Sequence, residues 1–290
     1  MKIKDIVNRE IVNLKNCEHE PIHVPGSIQP HGFLLGLKAS GEIDFCSANT
    51  LEYINRTHDE ILGNTFESVF GQEQFDALQN YIKLELQTPL KLELCGDVFL
   101  CTIHLSNGIR IIEAEPVPVV ETNLSIYDQT SKFLSYMHET HSLKELCQLV
   151  TDGTREITGY DRVMVYRFDK DYNGEVFAES CREDIEPFLG LHYPHTDIPS
   201  QARELYLQNL LRLIADINYT PVPLYTVDDR EHKNLDLSHS ILRSTSPIHV
   251  QYLQNMGVGA TLTISLIHQK KLWGLIACHH YSSKTLSPET

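Results

Sequence analysis

The sequence of 290 residues lacks any apolar run that approaches the ~20 residues needed to cross a bilayer as a helix. Basic residues are few, since 24 Lys and Arg stand against 39 Asp and Glu and give a formal net charge of −15. We therefore expect neither nucleic acid nor a membrane as a partner, because both are bound through basic surfaces. The first five residues also lack the apolar core of a signal peptide, so we expect a cytoplasmic protein.

The common signatures of catalysis are missing as well. The chain contains no Gly-rich loop of the Walker type, no GxSxG and no HExxH sequence, and we do not expect an enzyme. Cysteine is present but not in a disulfide pattern, since the seven cysteines are an odd number without regular spacing. Most of them are expected to be small buried side chains in a reducing compartment.

Hydrophobic periodicity predicts an α+β fold of two domains, each an antiparallel sheet flanked by helices, with a boundary over 119–127. The first domain is expected to contain a strand at 33–37, helices near 47–54, 58–62 and 71–86, and a hairpin of strands 98–105 and 109–115. The second is expected to contain helices over 129–158, 199–215 and 247–256, and strands over 163–168, 260–266 and 272–281. Residues 218–245 are expected to be mostly irregular.

An unusual segment, Glu20–Gly32, holds three Pro and two Gly, which exclude a helix or a central strand there. Cys17 precedes it in a polar neighbourhood, which suggests an accessible thiol that could attack an electrophile. The alternative is a cysteine without a role. His19 and His23 could join Cys17 as zinc ligands, although the paired spacings typical of zinc sites are absent.

Two polar groups stand out around the helix predicted over 199–215. Asp197, in the turn before it, has two interpretations: Thr196 or Asp197 caps the first-turn amides, or the carboxylate faces a pocket. Arg212 stands in an apolar stretch of the same predicted helix. Such a cation either extends its charged end to solvent or pairs with a buried anion, which is a carboxylate of the protein or that of a ligand.

Three histidines, His249, His279 and His280, lie near predicted strands, where a single histidine is usually a satisfied core residue. Two of them facing one cavity together with tyrosines would instead define a pocket, since pockets are mostly apolar with a few convergent polar groups. Thr261 and Thr263 share one strand face and would line whatever that face covers.

Five motifs, in this order along the chain, resemble the chromophore-binding region of a bacteriophytochrome, a PAS domain followed by a GAF domain. They are Cys17 before 21–32 (PIHVPGSIQPHG), 161–168 (DRVMVYRF), 197–203 (DIPSQAR), 243–249 (RSTSPIH) and 272–280 (LWGLIACHH). The resemblance covers essentially the whole chain. It implies a PAS domain over 1–120, with an N-terminal extension that carries Cys17, and a GAF domain over 128–290. It also implies a linear tetrapyrrole, biliverdin IXα, bound covalently in a GAF pocket.

The resemblance also implies roles for individual residues. Cys17 would form a thioether with a vinyl-derived side chain of ring A. Plant and cyanobacterial relatives carry their attachment cysteine directly before the histidine that matches His249, and Ile248 occupies that position here. Cys17 then remains as the attachment site, which favours biliverdin over a reduced bilin. His249 and the Asp197 main chain would bind the pyrrole nitrogens, and His279 the ring D carbonyl. After light isomerises ring D, the Asp197 carboxylate would bind the ring D N–H.

The other implied site residues surround ring D or hold the two propionates. Those counted around ring D and in the rest of the lining are Met164, Tyr166, Phe188, Tyr193, Tyr252, Pro199 and Ile248. Those implied at the propionates are Arg212, Arg243, Tyr206, Ser246, Thr261 and Thr263. Tyr193 stands where the family has Phe, and threonines replace serines at 261 and 263, which bears on colour and photoyield rather than on binding.

The resemblance has consequences for architecture as well. The Pro-rich segment would thread through the 218–245 loop as a figure-of-eight knot, with Ile28 near the crossing. We expect a homodimer through GAF helices. The PHY domain and the output module of full bacteriophytochromes, commonly a histidine kinase, are absent, which implies a truncated photosensory core with incomplete photoconversion and some near-infrared fluorescence. Two alternatives remain: a near-infrared fluorescent protein on this scaffold, and a PAS–GAF sensor of a small molecule such as a cyclic nucleotide.

Overall fold

The computed structural model describes residues 2–10, 12, 17–86, 88–117, 136, 140–227 and 234–286, with only the backbone of Cys17. The chain divides into two compact units. Unit 1 comprises Met1–Ile11, Pro21–Pro118 and Tyr219–Ser246, and unit 2 comprises Val12–Glu20, Val119–Asn218 and Pro247–Thr290. Each unit is therefore assembled from separated stretches of chain. The domain ranges 1–120 and 128–290 stay a prediction.

The described residues form fourteen strands, seven α-helices and two 3-10 turns. The strands are β1 (Ile3–Asp5), β2 (Ser27–Ile28), β3 (Phe33–Leu37), β4 (Ile43–Ser47), β5 (Leu90–Leu94), β6 (Asp97–Ser106), β7 (Ile109–Pro116), β8 (Arg162–Phe168), β9 (Gly174–Cys181), β10 (His192–Tyr193), β11 (Leu211–Ile214), β12 (Val222–Val227), β13 (Ala260–His268) and β14 (Lys271–His280). The helices are α1 (Thr50–Ile54), α2 (His58–Ile61), α3 (Phe66–Phe70), α4 (Gln72–Lys83), α5 (Leu143–Thr158), α6 (Ser200–Gln208) and α7 (Pro247–Asn255). The 3-10 turns are Cys17–His19 and His195–Asp197.

Unit 1 is built on an antiparallel sheet in the order β1-β12-β4-β3-β7-β6-β5, with β2 paired to β12. Both faces of this sheet are covered, which explains the uninterrupted apolar run Phe33–Leu37 in a central strand. Phe33 and Leu35 pack in one cluster with residues of helices α1 to α4. Leu34 packs on the other face with residues of the 235–242 stretch. The predicted hairpin of β6 and β7 is confirmed.

The Pro-rich segment of unit 1 lies between two stretches of the same 219–246 chain. Ile28 pairs with Val222 of β12 on one side and forms an isolated bridge with Arg243 on the other. These neighbours are the ones expected around a crossing near Ile28. The loop itself runs through 228–233, outside the described residues, so the knot stays a prediction.

Unit 2 is built on a second antiparallel sheet in the order β10-β9-β8-β14-β13-β11. One face packs against α5, where Cys147 meets Val165 and Ala178, with Trp273 at the margin of the cluster. The other face carries the candidate site described below. Each unit thus has the antiparallel sheet and flanking helices that the sequence predicts.

The helix predicted over 199–215 is wrong in its second half. α6 ends at Gln208, and Leu211–Ile214 form the edge strand β11, which pairs with β13. An apolar run of this length suits either element locally, and pairing with β13 selects the strand. Arg212 therefore lies on a strand and not on a helix.

The helix predicted over 129–158 is interrupted within the described residues, because Tyr136 is helical whereas 140–142 are not. The rest of the predicted start, 129–135 and 137–139, lies outside the described residues. Ser142 is extended and its Oγ accepts a hydrogen bond from the Glu145 amide at 3.2 Å, so α5 starts at Leu143. Gly159 ends it in the left-handed region, as predicted. The sequence analysis missed α3 and eight strands, which are β1, β2, β4, β5, β9, β10, β11 and β12. The last of these lies within the stretch expected to be mostly irregular. None of the helices described here is both long and apolar enough to cross a membrane.

Candidate functional site

The site is built on the face of the unit 2 sheet that α5 does not cover. Residues directly opposite each other in antiparallel strands point to the same face, so the register defines rows of side chains. One row runs from Arg162 through His279 and Thr261 to Ile214. The next row runs from Met164 through Ala277 and Thr263 to Arg212. Strand alternation thus brings together on one surface five of the side chains proposed from the sequence: Met164, Arg212, Thr261, Thr263 and His279.

An aromatic cluster covers the β8 end of this face. Tyr166, Met164 and Phe168 belong to its buried part, since alternate residues of β8 share one side. The other aromatic rings of this cluster come from outside strands β8, β14 and β13. They are Tyr172, Phe188, Tyr193 and Tyr206. The rings of Tyr166 and Tyr193 lie 6.0 Å apart at 45°. A flat apolar ligand would find aromatic surface here.

Two imidazoles, His249 and His279, lie in this region and are both held neutral. Burial, with smaller effects from Arg162 and His249, lowers the pKa of His279 to about 3. Burial and then the charge of Arg212 lower the pKa of His249 to about 4. His249 comes from α7 and lies against Tyr252, with ring centroids 6.1 Å apart and planes at 13°. Within the described residues, Nδ1 of His279 is buried and has no hydrogen-bond partner.

His280 belongs to a different environment. As the neighbour of His279 on β14 it points to the opposite side of the strand, where its Nδ1 lies 2.9 Å from the Asp161 carboxylate. Of the two neighbouring histidines on β14, His279 is therefore the one on the site face.

The turn before α6 presents Asp197. The N-cap of α6 is Pro199, and no side chain caps the helix, so the capping interpretation of Thr196 or Asp197 is wrong. Burial raises the pKa of the Asp197 carboxyl. Burial and then the Asp197 charge raise the pKa of Tyr252 to about 12. The pKa of Tyr166 is raised by burial first, then by Tyr252 and Asp197. The carboxylate is thus close enough to both phenols to act on them.

Arg212 is buried on β11 directly opposite Thr263. Its pairing with a ligand carboxylate stays a prediction. Tyr206 lies on α6, and the turn Cys17–His19 contacts this same helix. Ile248 lies on α7 beside His249, half-buried. The sequence spacing alone does not connect these elements, because they come from three distant stretches of chain.

Arg243 and Ser246 lie in unit 1, unlike the other proposed site residues. Arg243 is buried there, and its Nη1 donates a hydrogen bond to the Ile22 carbonyl at 2.7 Å. The participation of Arg243 and Ser246 in a site with residues of unit 2 stays a prediction.

A buried ion pair on the site face was missed by the sequence analysis. The Arg162 guanidinium donates to the Glu179 carboxylate, and both side chains are almost fully buried. Glu179 also accepts hydrogen bonds from the amides of Phe188 and Leu189, at 2.8 Å each. The guanidinium carbon of Arg162 lies 3.6 Å from the centroid of the Phe188 ring. The pair therefore fixes the loop that brings Phe188 into the aromatic cluster.

Comparisons with known proteins agree with this architecture. A family model described as PAS fold matches residues 17–117, and one described as GAF domain matches residues 142–290. Cyanobacterial phytochrome B of Nostoc sp. is 41% identical, with 100% of this chain and 40% of that protein covered. The bacteriophytochrome of Pseudomonas aeruginosa is 39% identical, with 95% of this chain and 38% of that protein covered. The chain thus spans about two fifths of the length of these relatives.

Solved structures are similar as well. The chromophore-binding domain of a wild-type Stigmatella aurantiaca phytochrome has a TM-score of 0.87 at 38% identity, with 94% of this chain and 93% of that chain covered. The chromophore-binding domain of an unusual bacteriophytochrome from R. palustris has a TM-score of 0.88 at 32% identity, with 94% and 92% covered. Fold and site together define a PAS–GAF sensory region. The chain belongs to the phytochrome family and corresponds to the PAS–GAF photosensory region of a bacteriophytochrome.

Proposed function

We propose that the chain binds biliverdin IXα covalently and acts as a red/far-red light photoreceptor. The observation that carries this proposal is the buried, unpartnered Nδ1 of His279 on a face lined by aromatic rings. A buried polar nitrogen without a partner is unfavourable, and a ligand that supplies a polar atom there removes the penalty. An extended conjugated tetrapyrrole with a terminal carbonyl fits such a face.

The remaining donors on this face fit the other groups of a bilin. His249 and the main chain of Asp197 would bind the pyrrole nitrogens. Arg212 is a buried guanidinium, which suits a carboxylate through paired hydrogen bonds, and would hold a propionate together with Tyr206 and, from unit 1, Arg243. The hydroxyls of Thr261 and Thr263, with Ser246 of unit 1, would hold the other propionate.

When bound, the bilin supplies absorption of red light and a methine double bond beside ring D that isomerises. The protein's part is to shape the space in which ring D turns. Tyr166, Tyr252 and Phe188 would surround this ring, and His279 would hold its carbonyl before light. The Asp197 carboxylate, which has no hydrogen bond to any described residue, would accept the ring D N–H afterwards.

Cys17 is the proposed attachment residue. Its thiol would add across a vinyl double bond, with the sulfur forming the new C–S bond and the hydrogen ending on carbon, so no oxidant is needed. Support comes from the contact of the Cys17–His19 turn with α6, the helix that carries Tyr206. Support comes also from Ile248, which stands directly before His249. The resemblance implies that plant and cyanobacterial relatives carry their attachment cysteine at this position.

Beyond pigment binding we propose a cytoplasmic homodimer through GAF helices, with no enzymatic activity in this chain apart from its own ligation to the bilin. Output activity would belong to other parts of the longer relatives.

Co-expression with a heme oxygenase tests the function. We expect a coloured protein with a red absorption band that shrinks under red light and recovers in darkness or far-red light. A colourless protein would support the small-molecule sensor instead. Fluorescence and photoconversion measured before and after Asp197→His distinguish the photoreceptor from a dedicated fluorescent protein. In a photoreceptor, this change suppresses conversion and raises emission, whereas in a fluorescent protein both stay as they were.

A further inference from the structure

We propose that the turn between β8 and β9, residues 169–173, acts with Arg203 as a clamp that positions Asp197 for its encounter with ring D. This inference rests on the proposed function, in which the Asp197 carboxylate receives the ring D N–H. Asp197 belongs to a short 3-10 turn, His195–Asp197, that has no side-chain cap of its own. The clamp residues would be positioning residues, since they act through this turn.

The first arm of the clamp is Asn173. Its Oδ1 accepts a hydrogen bond from the His195 amide at 3.1 Å, at the start of the Asp197 turn. Asp169 fixes the orientation of Asn173, because its carboxylate accepts from the Asn173 amide at 2.9 Å and from Nδ2 at 3.1 Å. Because Nδ2 of Asn173 binds Asp169, Oδ1 is the side-chain atom that faces the His195 amide. Asp169 therefore determines the orientation of the Asn173 side chain.

The second arm is Arg203, on the first turns of α6. Its Nη1 donates to the Ile198 carbonyl at 2.5 Å and more weakly to the His195 carbonyl at 3.4 Å, so it reaches both sides of Asp197. The guanidinium carbon lies 4.5 Å from the centroid of the Tyr172 ring, a cation–π distance. Tyr172 and Asn173 belong to the same 169–173 turn. This turn therefore supports both the Asn173 contact and the Arg203 contact.

The backbone of Tyr172 shows that the turn is held in an unfavourable shape. Its φ is 62°, in the left-handed region that costs a side-chain-bearing residue free energy. That conformation persists together with the stacked Arg203 and the Asp169–Asn173 bonds. Asp197 itself gains no hydrogen bond to its carboxylate from the described residues, so its position depends on the backbone that the clamp holds.

Hydrogen exchange in the pigment-free protein tests the clamp directly. For Asn173→Ala and Arg203→Ala we expect about three- to tenfold faster exchange of the amides at 195–198, since each change removes one or two hydrogen bonds of ordinary strength. Exchange in β8, β13 and β14 should stay as in the unchanged protein, which also verifies folding. Tyr172→Phe keeps the ring, and Arg56→Ala removes an exposed arginine that pairs with Glu60 in unit 1, so both serve as controls without effect.

The pigmented protein tests the consequence. We expect Asn173→Ala and Arg203→Ala to keep the covalently bound pigment, seen as a fluorescent protein band on a denaturing gel treated with zinc. Their light-minus-dark absorbance should fall several-fold. Arg203→Lys should recover part of this loss. Should Arg203→Ala not fold, Arg203→Lys and Asn173→Ala carry the same comparison. The clamp is overturned if the amides at 195–198 exchange at the unchanged rate in both Asn173→Ala and Arg203→Ala. It is also overturned if these amides exchange faster while photoconversion stays normal. Failure of the unchanged protein to take up pigment overturns the proposed function, while the exchange data still decide whether the clamp exists.

Discussion

Gly174 of β9 and Tyr166 of β8 depend on each other. A Cβ atom added to Gly174 would lie 1.7 Å from Cζ and 1.9 Å from the hydroxyl oxygen of Tyr166. Gly174 pairs with Phe168 of β8 on one side and with Tyr193 of β10 on the other. The Tyr166 ring passes over the backbone at Gly174, where no side chain stands in its way. The location of a proposed ring D residue is thus determined by a glycine on the next strand.

Gly174→Ala should therefore displace the Tyr166 ring. The backbone at Gly174 is not in the left-handed region, so the expected loss of about 1–3 kcal/mol in the free energy of unfolding comes from overpacking alone. Denaturant unfolding measures it. In a Tyr166→Ala background the added methyl group has room, and Gly174→Ala should then be nearly neutral. An equal loss in both backgrounds would show that the ring is not what Gly174 accommodates.

The two site histidines make the pigment-free protein sensitive to acid. Their pKa values, about 4 for His249 and about 3 for His279, lie below the ordinary value of 6.5. From about pH 6.5 downward the unfolded chain binds protons that the folded protein does not, so stability falls with pH, by up to about 1.4 kcal/mol per pH unit for each histidine. The loss ends only near the folded-state pKa values.

The double variant His249→Gln/His279→Gln measures this effect by difference. Unfolding free energies between pH 7 and pH 4 should fall less steeply in the variant than in the unchanged protein. Glu115, with a pKa raised by burial to about 7, has the opposite effect in this range, and His104 the same effect, but both are present in the two proteins and cancel. Parallel curves would contradict the neutral state of the two histidines.

Removal of one partner of the buried Arg162–Glu179 ion pair should destabilise the protein more than removal of both. Glu179→Gln leaves the buried guanidinium without its counter-ion, and we expect the free energy of unfolding to fall by about 3–5 kcal/mol. Replacing both residues, as Arg162→Met/Glu179→Gln, should be less damaging than Glu179→Gln alone. Asp184→Asn, which breaks an exposed ion pair with Arg182, should change stability by less than about 1 kcal/mol. If the loss in the double variant equalled the sum of the losses in Arg162→Met and Glu179→Gln, coupling between Arg162 and Glu179 would be excluded.

His249 should influence the charge of the bound pigment. In His249→Ala we expect the absorption titration of the pigmented protein to shift to lower pH, because a hydrogen-bonding partner of the protonated pyrrole system is lost. His280→Ala is the matched control, since His280 lies beside Asp161 and away from the site face. An unchanged titration in His249→Ala would argue against this role.

Local patterns in the sequence were sufficient for part of the site. The alternation at 260–266 correctly predicts that Thr261 and Thr263 share a face, because side-chain direction follows directly from strand geometry. Arg212 shows the limit of such patterns. Its apolar neighbours suit a helix or a strand, and the choice depends on β13, which lies about fifty residues further along the chain.

The Arg162–Glu179 pair lay outside the reach of pattern analysis for a related reason. Glu179 belongs to β9, which lacks a strict alternation of polar and apolar residues because both of its faces are partly covered. The pairing of β8 with β9 brings the two charges together, and no local signal marks it. The convergence of His249 from α7 with His279 from β14 likewise depends on tertiary packing, which a resemblance to known proteins supplies and spacing does not.

Intact mass and peptide mapping after incubation with biliverdin test the central claim most directly. The account predicts that the protein gains the mass of one biliverdin on the peptide containing Cys17, that Cys17→Ala binds the pigment without gaining mass, and that Cys95→Ala, which removes an exposed thiol, behaves like the unchanged protein. No gain in mass, or a gain that maps to a different cysteine, would contradict it.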